Sequence, residues 1–199
     1  MRRKSIFLVA FLALLAFVSI SCGEEYVPKG EFAVGKKLEN FTLPDLSWAE
    51  QSLDKLEGEN GAVLVWVSAQ CPVVKSYNER INQVAEELKA KGIHLIGINS
   101  NSTESLDWIK STASEVGYNF PILIDKGNVL ADKLEASVTP EFYYFDKQNT
   151  LLYHGALDDD RSGKNVTINY LRDAFGAALS KQPIQTAKTN AIGCSIKRA

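Results

Sequence analysis

Apolar residues change their period several times along this chain, and each change marks an element. The stretch "AVLVWVS", Ala62 to Ser68, is an unbroken β-branched and aromatic run, which predicts a strand buried on both faces. Beyond Pro72 the period lengthens: Val74, Tyr77, Ile81, Val84, Ala85 and Leu88 recur at three- and four-residue intervals with polar residues between them. That spacing predicts an amphipathic helix, opened by Pro72 and ended by Gly92. "IHLIGINS" predicts a second buried strand, "STESLDWIKSTASEVG" a helix with a serine-threonine cap, and "FPILID" a third strand. A short helix, "NVLADKLEA", leads to "VTPEFYYFD", a turn in "DKQNT", the returning strand "LLYHGAL" and a last helix in "TINYLRDAFGAALS". Upstream, "VGKKLENFTLPDL" is interrupted by Pro44 and suits an edge strand or extended segment. Strands and helices in this order predict an α/β sandwich whose central sheet is part parallel and part antiparallel.

The first residues follow another pattern. Arg2, Arg3 and Lys4 precede an uncharged apolar run from Ile6 to Ile20, and polar "CGEE" follows at once. These are the charged and apolar regions of an export signal, shorter than the roughly 20 apolar residues of a bilayer-spanning helix. "VSISC", Val18 to Cys22, resembles the lipobox of bacterial lipoproteins, although Ser19 stands where leucine is common. The resemblance implies that Cys22 is lipidated and becomes the mature N-terminus, holding the protein to a membrane. The expected organisation is a lipoprotein signal peptide (1–21), a linker (22–31), one domain (32–180) and a C-terminal tail (181–199). It places the domain in the cell envelope, facing the periplasm or cell exterior, where disulfides persist.

Composition adds limits. A 45% hydrophobic share of 199 residues supports one sizeable core. The net charge of −2 and the dispersed charges offer no basic face, so no nucleic-acid partner is expected. Three cysteines, Cys22, Cys71 and Cys194, stand far apart in different contexts. Cys71 falls between a buried strand and a helix, where unpaired amides and the helix dipole favour a negative charge. A thiol there has a lowered pKa and, as thiolate, attacks disulfides, peroxides or other electrophilic sulfur. Lys75, one turn on, adds positive charge. The alternative for Cys71 is a buried structural cysteine.

The order of elements, with "VLVWVSAQCPVVK" and "SVTPEFYYFD", resembles the thioredoxin-like superfamily. Within it, "CPVVK" (Cys71–Lys75), "LRDA" (Leu171–Ala174) and "GCSIK" (Gly193–Lys197) are similar to peroxiredoxin-like redoxins of the AhpC/TSA type. The resemblance implies a thioredoxin-like sandwich, a central mixed sheet flanked by helices. It also implies a cis Thr139–Pro140 bond, and a substrate groove formed by Gln70, Pro72, Thr139 and Pro140. Two positions depart from the family: Val74 replaces the second cysteine of C-x-x-C, and Leu64 replaces the proline of P-x-x-x-[ST]-x-x-C, while Ser68 keeps the hydroxyl position.

A nucleophile without a neighbouring cysteine needs a second thiol to turn over. Cys194 is the only other thiol of the mature domain. An extended chain from Ser180 to Cys194 reaches roughly 45–50 Å, against a radius of gyration of about 15 Å for such a domain. Reach permits a resolving role; the alternative is a tail that packs Ile192 and Ile196 with Cys194 as an apolar filler. The expected partners are a protein or small-molecule disulfide or a peroxide, an external thiol reductant, and the membrane. No cofactor is expected, and His94 and His154 lack metal-ligand spacing. "DDDR", Asp158 to Arg161, reads as a solvated loop, and Trp48, Trp66 and Trp108 as core or rim packing. Two functions stay open: a membrane-anchored thiol oxidoreductase, and a lipoprotein that binds a partner beside Pro140 without turnover.

Overall fold

In the computed structural model, residues 32–199 are described; the expected signal, Cys22 and the linker to residue 31 lie outside them. Thr42–Pro44 (β1) and Glu50–Ser52 (β2) pair antiparallel, and one helical turn, Leu53–Leu56 (α1), follows. Then come Ala62–Trp66 (β3), Pro72–Ala90 (α2), His94–Asn99 (β4), Leu106–Val116 (α3), Ile122–Ile124 (β5) and Val129–Leu134 (α4). Val138–Thr139 (β6), Glu141–Phe145 (β7), Leu151–Gly155 (β8), Tyr170–Leu179 (α5) and Cys194–Ser195 (β9) complete the chain.

The central sheet has the order β5-β4-β3-β7-β8. β3, β4 and β5 run parallel, whereas β7 pairs antiparallel with both β3 and β8. This is the mixed sheet that the sequence pattern predicts. All five residues of β3 are buried, and the pleat sends alternate side chains to opposite faces. Val63 and Val65 join a core with Val74, Tyr77, Ile81 and Leu88 of α2 and with Leu171 and Phe175 of α5. Leu64 and Trp66 join a second core with Leu53, Tyr143 and with Leu130 and Leu134 of α4. Helices therefore cover both faces, and truncating a fully buried β3 residue such as Leu64 to alanine costs about 2–5 kcal/mol.

Elements expected from periodicity are present, shortened at their ends. α3 is capped later than predicted, by Ser105 and not by Ser102 or Thr103: Ser105 Oγ accepts from the Trp108 amide, and Gly117 closes the helix with φ +66°. Four short elements carry no periodic signal in the sequence: β2, α1, β6 and β9. The tail is not a separate appendage, because residues 181–199 belong to the same compact unit as the rest of the described chain, and Ile196 is buried in the second core. Ile192 does not pack as considered above; it is 66% exposed. No described helix is long and apolar enough to cross a membrane.

Candidate active site

Cys71 is the N-cap of α2, in extended backbone, with Pro72 at the first helical position. The strand-to-helix step thus places its sulfur at the positive end of a 19-residue helix. The side chain is 1% exposed. The preceding loop is held by Glu104, whose buried carboxylate accepts from Ser68 Oγ and from the Ala69 and Gln70 amides. Asn99 Nδ2 donates to the same carboxylate at 2.8 Å. Glu104 therefore fixes the three residues before the cysteine, and its role is not legible in a sequence where it stands in the first turn of an expected helix.

The other wall is the end of β6. The Thr139–Pro140 bond is cis, as the resemblance implies. The Thr139 carbonyl oxygen lies 3.3 Å from Cys71 Sγ. β6 is not part of the central sheet. Its strand partner is β9, antiparallel, with Thr139 opposite Cys194 and Val138 opposite Ser195. Cys71 and Cys194 are joined as a disulfide with Cα atoms 5.9 Å apart, inside the ordinary range. Gly193 makes the approach feasible: a Cβ there would stand 2.1 Å from the Thr139 oxygen.

The tail is guided to this point by β8. His154 donates its amide to the Ala187 oxygen and accepts from the Thr189 amide. Thr189 Oγ1 accepts from the Ala156 amide and pairs with the Tyr153 hydroxyl. Gly155, at φ +146°, leaves room there, since a Cβ would meet Thr189 Oγ1 at 2.1 Å. Behind β6 sits a pair, buried Glu141 and half-buried His154, that the sequence reading missed. Glu141 Oε1 lies 2.6 Å from His154 Nε2, while Oε2 accepts from the Ser137 and Val138 amides. The His154 ring stacks on Tyr143, whose hydroxyl pKa is pushed far up by burial and then by the Glu141 charge. A glutamate inside the apolar run "PEFYYF" is the one signal that could have marked it.

The remaining candidates divide. Gln70 is half-buried, and its side-chain amide donates to Thr103 Oγ1 at 2.8 Å; Pro72 and Lys75 are exposed. The Ser68 hydroxyl is engaged by Glu104. His94 Nδ1 bonds the Leu56 oxygen. "DDDR" is solvated only in part: Asp159 and Arg161 are exposed, whereas Asp158 is buried and ion-paired with Arg80, which also donates to the Asp160 and Arg161 oxygens. Trp66 is core, whereas Trp48 and Trp108 are exposed.

Comparison with known proteins agrees with this geometry. A crystal structure of an uncharacterized conserved protein from Geobacillus kaustophilus is 32% identical, with a TM-score of 0.79 over 84% of this chain and 93% of the other. A thiol:disulfide interchange protein DsbE from Chlorobium tepidum shares the fold at 18% identity, with a TM-score of 0.55 over 61% of this chain and 84% of the other. The thiol-disulfide oxidoreductase ResA of Bacillus thuringiensis is 24% identical over 127 residues, 64% of this chain and 72% of the relative. The fold is thioredoxin-like, and the likeness to ResA is to a thiol-disulfide oxidoreductase. Cys194 lies beyond the family pattern: the AhpC/TSA pattern covers residues 34–154, from the approach to β1 into β8, and the chain belongs to the AhpC/TSA family.

Proposed function

We propose that this protein is an exported, lipid-anchored thiol-disulfide oxidoreductase in which Cys71 is the nucleophile and Cys194 the resolving thiol. The observation that carries the reading is the Cys71–Cys194 bridge beside Thr139, formed by a helix N-cap cysteine and a tail threaded to meet it. In the reduced protein the Cys71 thiolate attacks one sulfur of a substrate disulfide, forming a mixed disulfide and releasing the other sulfur as a thiolate. The Cys194 thiolate then attacks Cys71 Sγ, forms the internal bridge and releases the second substrate thiol. An external dithiol returns both cysteines to the reduced state. Bonds and electrons balance: one disulfide is reduced, and one is formed. Gln70, Pro72, Thr139 and Pro140 frame the nucleophile.

A bridge made by a helix N-cap cysteine beside Thr139 across a 123-residue separation supports turnover over a passive binding module. The anchor rests on Cys22 after "VSIS"; mass spectrometry of the membrane fraction should find Cys22 acylated and N-terminal. The redox role is tested with Cys194→Ser. Under mild oxidation this variant should accumulate mixed disulfide or sulfenic acid at Cys71, where the parent forms the internal bridge. A parent that forms no bridge under any oxidant, with Cys194→Ser turning over normally, would remove the resolving role.

A further inference from the structure

β6 is a two-residue strand outside the central sheet, and its strand partner is the tail. Without β9, the Ser137 oxygen would lose the Ile196 amide and the carbonyl side of Ser137–Thr139 would be an open edge beside Cys71 Sγ, while the Ser137 and Val138 amides keep Glu141 Oε2. An open edge is a template for another extended chain. The tail seats itself there with side-chain contacts at a fixed spacing. Gly193 lies against the Thr139 oxygen, Cys194 reaches Cys71, and Ser195 is exposed. Ile196 is 5% exposed in the second core, and its amide donates to the Ser137 oxygen. Arg198 pairs with Asp132 and donates to the Ala136 oxygen. Contacts at Lys197 go through backbone atoms.

Resting on the role of Cys71 given above, we propose that the tail is a tethered copy of the substrate. The client is then an extended cysteine-containing polypeptide segment that pairs antiparallel with Val138–Thr139. It carries glycine directly before the reacting cysteine, a branched apolar residue two positions after it, and a basic residue four after it. Any Cβ before the cysteine meets backbone, which cannot move aside as a flexible side chain can. The client and the tail use one edge, so they exclude each other. Attack by Cys194 on the mixed disulfide therefore coincides with replacement of the client strand by β9, and forming the internal bridge expels the reduced client.

The test uses full-length Cys194→Ser, and Cys194→Ser with Ile196→Asp, which unseats the tail. Each is mixed with peptides activated as thionitrobenzoate disulfides, so that attack by Cys71 on the peptide sulfur forms the mixed disulfide and releases coloured thionitrobenzoate. The peptides are Ile-Gly-Cys-Ser-Ile-Lys-Arg, the same with alanine for glycine, and the same with aspartate for the second isoleucine; mercaptoethanol-thionitrobenzoate is the small reference. The parent peptide should react about tenfold or more faster than either altered peptide, the scale of burying one isoleucine. It should gain further in the double variant, while the reference changes little. If the double variant has lost its circular dichroism signature, the ranking is read in Cys194→Ser at saturating peptide. Equal rates for all peptides, with a reference rate well above that of free cysteine, overturn the docking inference and leave Cys71 as nucleophile. A reference rate no faster than free cysteine overturns both.

Discussion

Glu104 and Gly193 show how single residues set this site. Glu104 is a buried carboxylate that accepts four hydrogen bonds, three of them from the loop entering Cys71. Glutamine has one acceptor oxygen where two are needed and brings an N–H₂ group against donors. Glu104→Gln should therefore destabilise by about 1–3 kcal/mol, read from urea denaturation, and slow alkylation of Cys71 in the reduced protein. Unchanged stability would mean that the loop holds itself. At Gly193 the obstacle is steric, a Cβ 2.1 Å from a carbonyl oxygen. Gly193→Ala should cost about 1–3 kcal/mol of overpacking in the bridged form alone. The Cys71–Cys194 equilibrium against glutathione should then shift by about 5–150-fold toward open thiols, and an unshifted equilibrium would count against the close approach.

At the scale of elements, α2 and the β8–α5 loop carry separate consequences. The dipole of α2 favours the thiolate of its N-cap residue over the thiol. In Cys194→Ser, the alkylation rate against pH should have its midpoint below the usual thiol value of about 8.5. A midpoint at or above it would favour the non-catalytic binding module. The loop is organised by Asp159, whose pKa is lowered to about 2 by hydrogen bonds from Thr167 Oγ1 and from the Ile168 and Thr167 amides. A carboxyl whose folded pKa lies below its unfolded value stabilises the fold above the unfolded value and loses that contribution as pH falls through the folded one. Amide protection in residues 159–168 should accordingly hold from neutrality to about pH 4 and decline toward about pH 2. Asp159→Asn should lower it at neutral pH; protection unaffected by the substitution would refute this account.

For the whole molecule, the bridge ties α2 to the end of the chain across 123 residues. Chain-entropy reasoning gives such a closure up to about 5 kcal/mol through the unfolded state. Dithiol reduction should lower the melting temperature by on the order of 10 °C in a domain of this size. Cys194→Ser should melt like the reduced parent and respond no further to reductant. Identical melting of oxidised and reduced parent would show that the bridge is absent in solution, or that the tail's non-covalent seat supplies nearly all the restraint. The hydrogen bonds at Thr189 and the burial of Ile196 supply part of that seat in either state.

Periodicity determined what local physics controls: the buried β3 run, the apolar faces of α2 and α5, and a cysteine placed where a strand hands over to a helix. Those features depend on residues within a few positions of one another, so the sequence alone states them. The cis bond before Pro140 and the groove around it came from resemblance. Partners distant in the chain were decided only by the tertiary structure. Glu104 reads as a first-turn helix residue until β4 and α3 bring it beneath Ser68, and Glu141 reads as a strand residue until β8 sets His154 against it. Two-residue strands such as β6 and β9 have too few positions to show any period, and each exists because the other satisfies its backbone. The reach of the tail set an upper bound on where Cys194 could go. Its place opposite Thr139 was fixed by the room at Gly155 and Gly193, where backbone meets backbone.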